Sequence, residues 1–246
     1  MPNLCFQKLL SNEECTMLNQ ERNKTIITKS FSFIIENNIH IYPIQIQKLC
    51  VILNVELIKL SDIILNTNLT MEDIFKIWGN EDGTLISYKS DKGVFRHKIA
   101  YNDSKSQGRQ RFTLLEEFSH IILKHYELES FNIYKQSYTE EEYQYIDEEA
   151  RICAGFLACP PSYYYTNKNL WRTHIREYSS VLDITPSCAK TRGEIYTKHS
   201  RLIKKNKLYS ELPKPFVSNL YIDLLKILFP ERFASPLNKA EQGNII

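Results

Sequence analysis

The sequence predicts an α+β fold, with a small antiparallel sheet packed on one helix and a helical C-terminal half. Three observations carry that prediction. Two β-rich runs, 84–88 (TLISY) and 94–101 (VFRHKIAY), flank a turn-forming stretch at 89–93, which is the pattern of an antiparallel hairpin. Leu114, Leu115, Phe118, Ile121 and Ile122 repeat at intervals of three and four, so a helix over about 111–124 has one apolar face. Beyond Pro161 the apolar positions keep helical spacing.

Taken in order, residues 21–41 place Ile26, Ile27, Phe31, Ile34 and Ile35 on one helical face, stopped by Asn37 and Asn38, which tolerate the left-handed conformation. Pro43 suits the first turn of a second helix, whose Ile46, Leu49, Cys50 and Leu53 form a stripe before Asn54 breaks it. The run 55–60 (VELIKL) reads as a strand that joins the hairpin. A further helix spans about 141–158, ended by Pro160 and Pro161, which remove two amide donors and oppose the helical turn. Trp171, Ile175, Tyr178 and Leu182 then share a face, 187–196 reads as a helix with Ser187 as its N-cap, and 217–229 reads as another. The last dozen residues read as frayed, and no internal repeat or low-complexity linker divides the chain.

Composition narrows the function classes. With 246 residues, 43% hydrophobic and 24% charged, the chain has an ordinary globular balance, which excludes collagenous and wholly disordered readings. Thirty-one basic against 29 acidic residues leave +2, so no global field draws nucleic acid or anionic lipid. Six cysteines, at 5, 15, 50, 153, 159 and 188, form no C-x-x-C pair and read as free thiols in a reducing cytoplasm. Residues 1–20 carry Glu13 and Glu14 and lack a basic segment followed by an apolar one, and no run approaches the ~18 apolar residues of a membrane span. The seven glycines cannot write G-x-G-x-x-G or a P-loop, which argues against a glycine cradle for nucleotide.

The line that carries chemistry is 109–125, RQRFTLLEEFSHIILKH, followed by 147–160, DEEARICAGFLACP. Over roughly 25–195 the chain resembles the ImmA/IrrE family of zinc metallopeptidases, whose members typically show RQRFTLAHELGHILLGH and then E-x-x-A-N/D-x-F-A-x-x-L-L-M-P. The resemblance implies a zincin-like minimal metallopeptidase fold over 1–195, with its core at about 25–165, and a basic helical C-terminal extension over 196–246. It implies zinc held by two histidines one helical turn apart and by a glutamate from the next helix, with a glutamate beside the first histidine as general base.

Mapped onto this chain, the base falls on Glu117 and the second histidine on His120. The first histidine falls on Glu116, the third-ligand glutamate on Asp147, and the Asn/Asp four residues after that ligand on Arg151. An amide or carboxylate at the last position can support the first histidine by accepting a hydrogen bond from it. Here donor and acceptor are exchanged, so Glu116 and Arg151 are expected to face each other as an ion pair, with a guanidinium repelling a dication. The alternative points Arg151 to solvent and leaves Glu116, His120 and Asp147 as a carboxylate-rich site. The cofactor is then zinc, a harder divalent cation such as Mn or Mg, or none.

Other candidates have plainer readings. His125, five residues past His120 and about 140° round an ideal helix, lies off the ligand face and reads as structural. His40, His97, His174 and His199 form no ligand-spaced pair, and Glu140, Glu141 and Glu142 read as a solvated helix start. Tyr163, Tyr164 and Tyr165 form either packed aromatics or a substrate wall. Lys198, Arg201, Lys204, Lys205 and Lys207 form the strong basic cluster, read as a solvated face that could touch phosphate.

Three functions follow. The first is a regulatory pseudopeptidase of a mobile element or stress response that binds a helix-turn-helix repressor, the partner class the resemblance implies. The second is an active metal-dependent endopeptidase cleaving such a repressor with Glu117 as base. The third, a nucleic-acid-binding module using the basic C-terminal segment, is disfavoured by the near-neutral charge. A cytoplasmic protein without a membrane partner is expected in each case.

Overall fold

A computed structural model describes residues 12–128, 140–166, 168–214 and 219–230. Helix α1 (Asn12–Glu36) begins upstream of the expected start and ends as expected, with Asn38 left-handed at φ 49° and Ile39 N–H donating to Ile34 O. Helix α2 (Ile46–Leu53) is closed by Asn54 at φ 51°. Pro43 lies outside it, because the helix starts three residues later behind Gln45. Strand β1 (Val55–Lys59) gives its last expected residue, Leu60, to helix α3 (Leu60–Asn66). Helix α4 (Met71–Trp78) starts at a capping box between Thr70 and Asp73 and ends at Gly79, whose φ of 73° suits a residue without Cβ.

The hairpin forms as expected from β2 (Gly83–Lys89) and β3 (Phe95–Tyr101), antiparallel with Leu85 opposite Ile99. The sheet as a whole departs from the expected antiparallel arrangement. Its order is β1-β3-β2, and β1 pairs with β3 in parallel, Leu57 opposite Ile99. A parallel neighbour requires a crossover connection, which α3 and α4 supply. Side chains alternate across β3, so Ile99 joins the main core while Ala100 packs with Leu60, Ile74 and Trp78 on the opposite face.

Helix α5 (Gln107–Ile122) lies against β2, β3, α1, α2 and helix α6 (Glu140–Ala158). Leu115, Phe118, Phe31 and Leu157 are fully buried where these helices meet, and Phe31 meets Phe156 edge to face at 5.2 Å. Pro161 opens helix α7 (Pro161–Thr166), after which come α8 (Lys168–Thr173), α9 (Ile175–Leu182), α10 (Pro186–Lys198), α11 (Ser200–Lys205) and α12 (Asn219–Leu228). The N-cap of α10 is Thr185 rather than Ser187: the Thr185 hydroxyl accepts from Cys188 N–H, and Pro186 takes the first helical position.

Tyr163 and Tyr164 are buried among Tyr42, Trp171 and Tyr196, which makes them core rather than a substrate wall. Cys50, Cys153, Cys159 and Cys188 are free. The expectations for Cys5, Cys15, most of residues 1–20 and the last dozen residues lie outside the described residues or side chains. Among the described residues, no helix is long and apolar enough to cross a membrane.

Phe118 of α5 is fully buried. Phe118→Ala is expected to cost about 3–5 kcal/mol through lost burial and an unfilled cavity, read as a lowered urea midpoint at unchanged slope. A loss below about 1 kcal/mol would contradict this account of the core.

Candidate functional site

Helices α5 and α6 face each other across a cleft of about 460 Å³ that Glu116, Glu117, His120, Asp147 and Arg151 all line. Arg151 holds the centre. Its Nε donates to Glu116 Oε1 on α5 at 3.2 Å, and its Nη2 donates to Asp147 Oδ2, one turn back on α6, at 3.1 Å. The ion pair expected between Glu116 and Arg151 therefore forms, and Asp147 joins it. Burial pushes the Glu116 carboxyl up to about 7, with Asp147 acting in the same direction and Arg151 and Arg109 opposing it.

His120 is buried, with its Nε2 3.8 Å from Asp147 Oδ1. Its Nδ1 lies 2.9 Å from Nδ1 of His125, whose Nε2 lies 2.9 Å from Glu149 Oε2. Glu149 in turn accepts from Arg22 Nε of α1. Burial raises the Glu149 carboxyl, but the bonds from His125 and Arg22 outweigh it and hold the group below the usual range. Only one proton fits between the two Nδ1 atoms. One imidazole therefore donates at that contact and the other accepts, His125 Nε2 meets the Glu149 carboxylate, and His120 Nε2 faces Asp147 across the cleft.

His125 thus corrects the helical-wheel expectation in one respect. It is off the ligand face, but it supports His120 directly. Helix α5 ends at Ile122 and Lys124 is left-handed at φ 63°, which turns the chain and returns the imidazole of His125 to His120. The sequence signal, a left-handed break at Lys124, is weak. Arg22, Glu149 and Arg192 were also missed, because their partners lie far along the chain. His97 is buried and its Nδ1 lies 2.8 Å from Ser87 Oγ on the neighbouring strand, away from the cleft.

Two further contacts fix the cleft walls. At the start of α5, Arg109 donates to both carboxylate oxygens of Asp82, at 2.9 and 2.5 Å, which ties the helix to the loop before β2. From α10, Arg192 Nη1 donates to Arg151 O at 2.7 Å and its guanidinium lies over Phe112. Gly155 makes room for it, since a Cβ there would overlap Arg192 Nη1 and lie 2.7 Å from its Cδ. Cys188 also lines the cleft, and burial pushes its thiol up to about 11, so it is not a thiolate nucleophile.

The residues do not fit a zinc ion. Glu116 and Asp147, two of the three positions that the resemblance gives to ligands, already accept from one guanidinium, and a dication between them would displace or be repelled by Arg151. Among the described residues, no three His, Cys, Asp or Glu side chains are grouped to hold a metal.

Two measurements test this geometry. Gly155→Ala is expected to destabilise by about 1–3 kcal/mol through overpacking against Arg192, and a neutral result would remove Arg192 from its place behind Arg151. The hydrogen bonds from Arg109 hold Asp82 below its ordinary value. A depressed carboxylate contributes stability above its unfolded pKa and loses it as pH falls through the folded one. Asp82→Asn should therefore cost up to about 1 kcal/mol at neutral pH, the pair being partly exposed. The difference from wild type should close below pH ~4; a constant difference down to pH ~2 would refute it.

Residues 68–166 match the Peptidase_M78 family model, described as an IrrE N-terminal-like domain. No curated protein and no solved structure matches the chain. The matched stretch holds Glu116, Glu117, His120, Asp147 and Arg151, and the α+β architecture around it fits the zincin-like fold of that family. Over residues 68–166 the chain therefore carries an ImmA/IrrE-like domain.

Proposed function

We propose that the chain is a regulatory pseudopeptidase, in which an ImmA/IrrE metallopeptidase fold binds a helix-turn-helix repressor of a mobile element or stress response without cutting it. The observation that carries this reading is Arg151, which bridges Glu116 and Asp147 where a peptidase of this family would present ligands to zinc. Peptide hydrolysis by this fold needs a Lewis acid to polarise the carbonyl and activate water. Glu117 lines the cleft, but its role as general base depends on that activation. The partner class follows from the resemblance. The domain division at 195/196 belongs to the same proposal.

A second reading, an active metal-dependent endopeptidase, draws on His120, whose Nε2 faces the cleft with His125 and Glu149 behind it. That support is the arrangement a metal-binding histidine uses.

Elemental mass spectrometry on the purified chain, grown with added zinc and manganese and desalted without chelator, separates the two. The expected stoichiometry is near zero. About one equivalent of one metal, lost in His120→Ala or Asp147→Ala, would overturn the pseudopeptidase reading. The triple variant Glu116→His, Asp147→Glu, Arg151→Asn is expected to recover zinc, because the support behind His120 is intact. Co-expression with a helix-turn-helix protein encoded beside this chain should recover that partner uncut. Fragments that vanish in Glu117→Ala would instead establish catalysis.

A further inference from the structure

A second concavity lies on the far side of α6, away from the cleft. It is a groove of about 770 Å³ between α1, α6 and the α10–α11 segment. Its rim carries Lys198, Arg201 and Lys205, which recur at three and four residues and so project from one side of that segment. All three are exposed, and among the described residues none of them pairs with a carboxylate. Opposite them stands Arg22, over the ring of Tyr145 at 4.9 Å. Ile26, Ile152 and Leu202 give the groove an apolar floor.

Three cations directed at one concave, partly apolar, aromatic-walled space form a different object from a solvated basic helix face. The volume lies within the range of small-ligand sites, on the order of 300–1,000 Å³. Phosphate oxygens suit lysine and arginine donors, by point charge and by planar fork respectively. A duplex fits less well. The net charge of the chain is only +2, and Glu148 and Glu149 on the α6 wall would face an extended phosphate backbone. Glu149 is committed to Arg22 and His125, but Glu148 stands exposed on the groove wall.

We propose that this groove binds a phosphorylated small molecule with an aromatic or apolar moiety, of the nucleoside phosphate class, its phosphates on Lys198, Arg201 and Lys205 and its apolar part toward Tyr145 and Ile152. The site is separate from the cleft and holds whether or not the cleft carries metal.

The test is isothermal titration of the full chain, in phosphate-free buffer at low and high salt, with ATP, AMP, pyrophosphate and adenosine as probes. ATP is expected to bind saturably, more tightly than pyrophosphate or AMP, with adenosine weakest, and to weaken as salt screens the phosphates. The triple variant Lys198→Ala, Arg201→Ala, Lys205→Ala should lose at least tenfold in affinity. Its side chains are exposed, so an unchanged melting temperature certifies the fold. No saturable binding, or binding the triple variant retains, would overturn the proposal. So would a random-sequence DNA duplex that binds more tightly than ATP through the same three residues, which would assign the groove to nucleic-acid backbone.

Discussion

The Arg151 guanidinium is the interaction on which the cleft depends. It joins α5 to α6 at the point where two carboxylates, Glu116 and Asp147, would otherwise confront each other. In a zinc peptidase of this fold a metal does that work, drawing ligands from two helices to one centre. A guanidinium can do part of it, since it offers several donors in a plane and carries one permanent charge. It cannot polarise a carbonyl as a dication does. The Arg151 side chain is 59% exposed, so its ion pairs stabilise the fold by little, in the range of surface pairs at ~0–1 kcal/mol. Its larger effect is on charge. Even with Arg151 present, burial leaves Glu116 at about 7, and without a cation the two facing carboxylates would repel each other further.

The two sides of the site are built differently. On the α5 front, Glu116 is paired with Arg151. Behind His120, a polar chain runs through His125 and Glu149 to Arg22 on α1. Each member of that chain has a complementary neighbour, so the imidazole is oriented and its Nε2 directed outward. A support of this kind is costly to leave half made, because a buried ring nitrogen without its partner carries a desolvation penalty. Its completeness holds the His120 imidazole in place independently of the Arg151 ion pairs.

Much of this was legible in the sequence, and the failures have physical causes. The period of three and four gave α5, and the double proline gave the end of α6. The spacing of Glu116, Asp147 and Arg151 on two helices brought their side chains together, because helical register is rigid over one or two turns. His125 escaped because a wheel projection assumes that the helix continues, and Lys124 breaks it. The parallel pairing of β1 escaped because α3 and α4 are short, at seven and eight residues, too brief for periodicity to announce a crossover. Arg22 and Arg192 escaped because nothing local marks a residue whose partner lies 127 or 41 positions away.

Those two arginines bear on where the functional unit begins and ends. The family match covers 68–166 and contains Glu116, Glu117, His120, Asp147 and Arg151, yet Arg22 and Arg192 lie on either side of it. Arg22 anchors Glu149, and through it the imidazoles. Arg192 donates to the main-chain oxygen of Arg151 itself, through space that Gly155 leaves open. The core follows the same pattern: Phe156 of α6 packs on Phe31 of α1 and stacks on Tyr196 of α10. Helix α6 is therefore clamped from both flanks, and its backbone at Arg151 is held by a helix outside the matched segment. The residues that define the family sit in one stretch of sequence, but the geometry that turns them into an ion-paired cleft is a property of α1 and α10 as well.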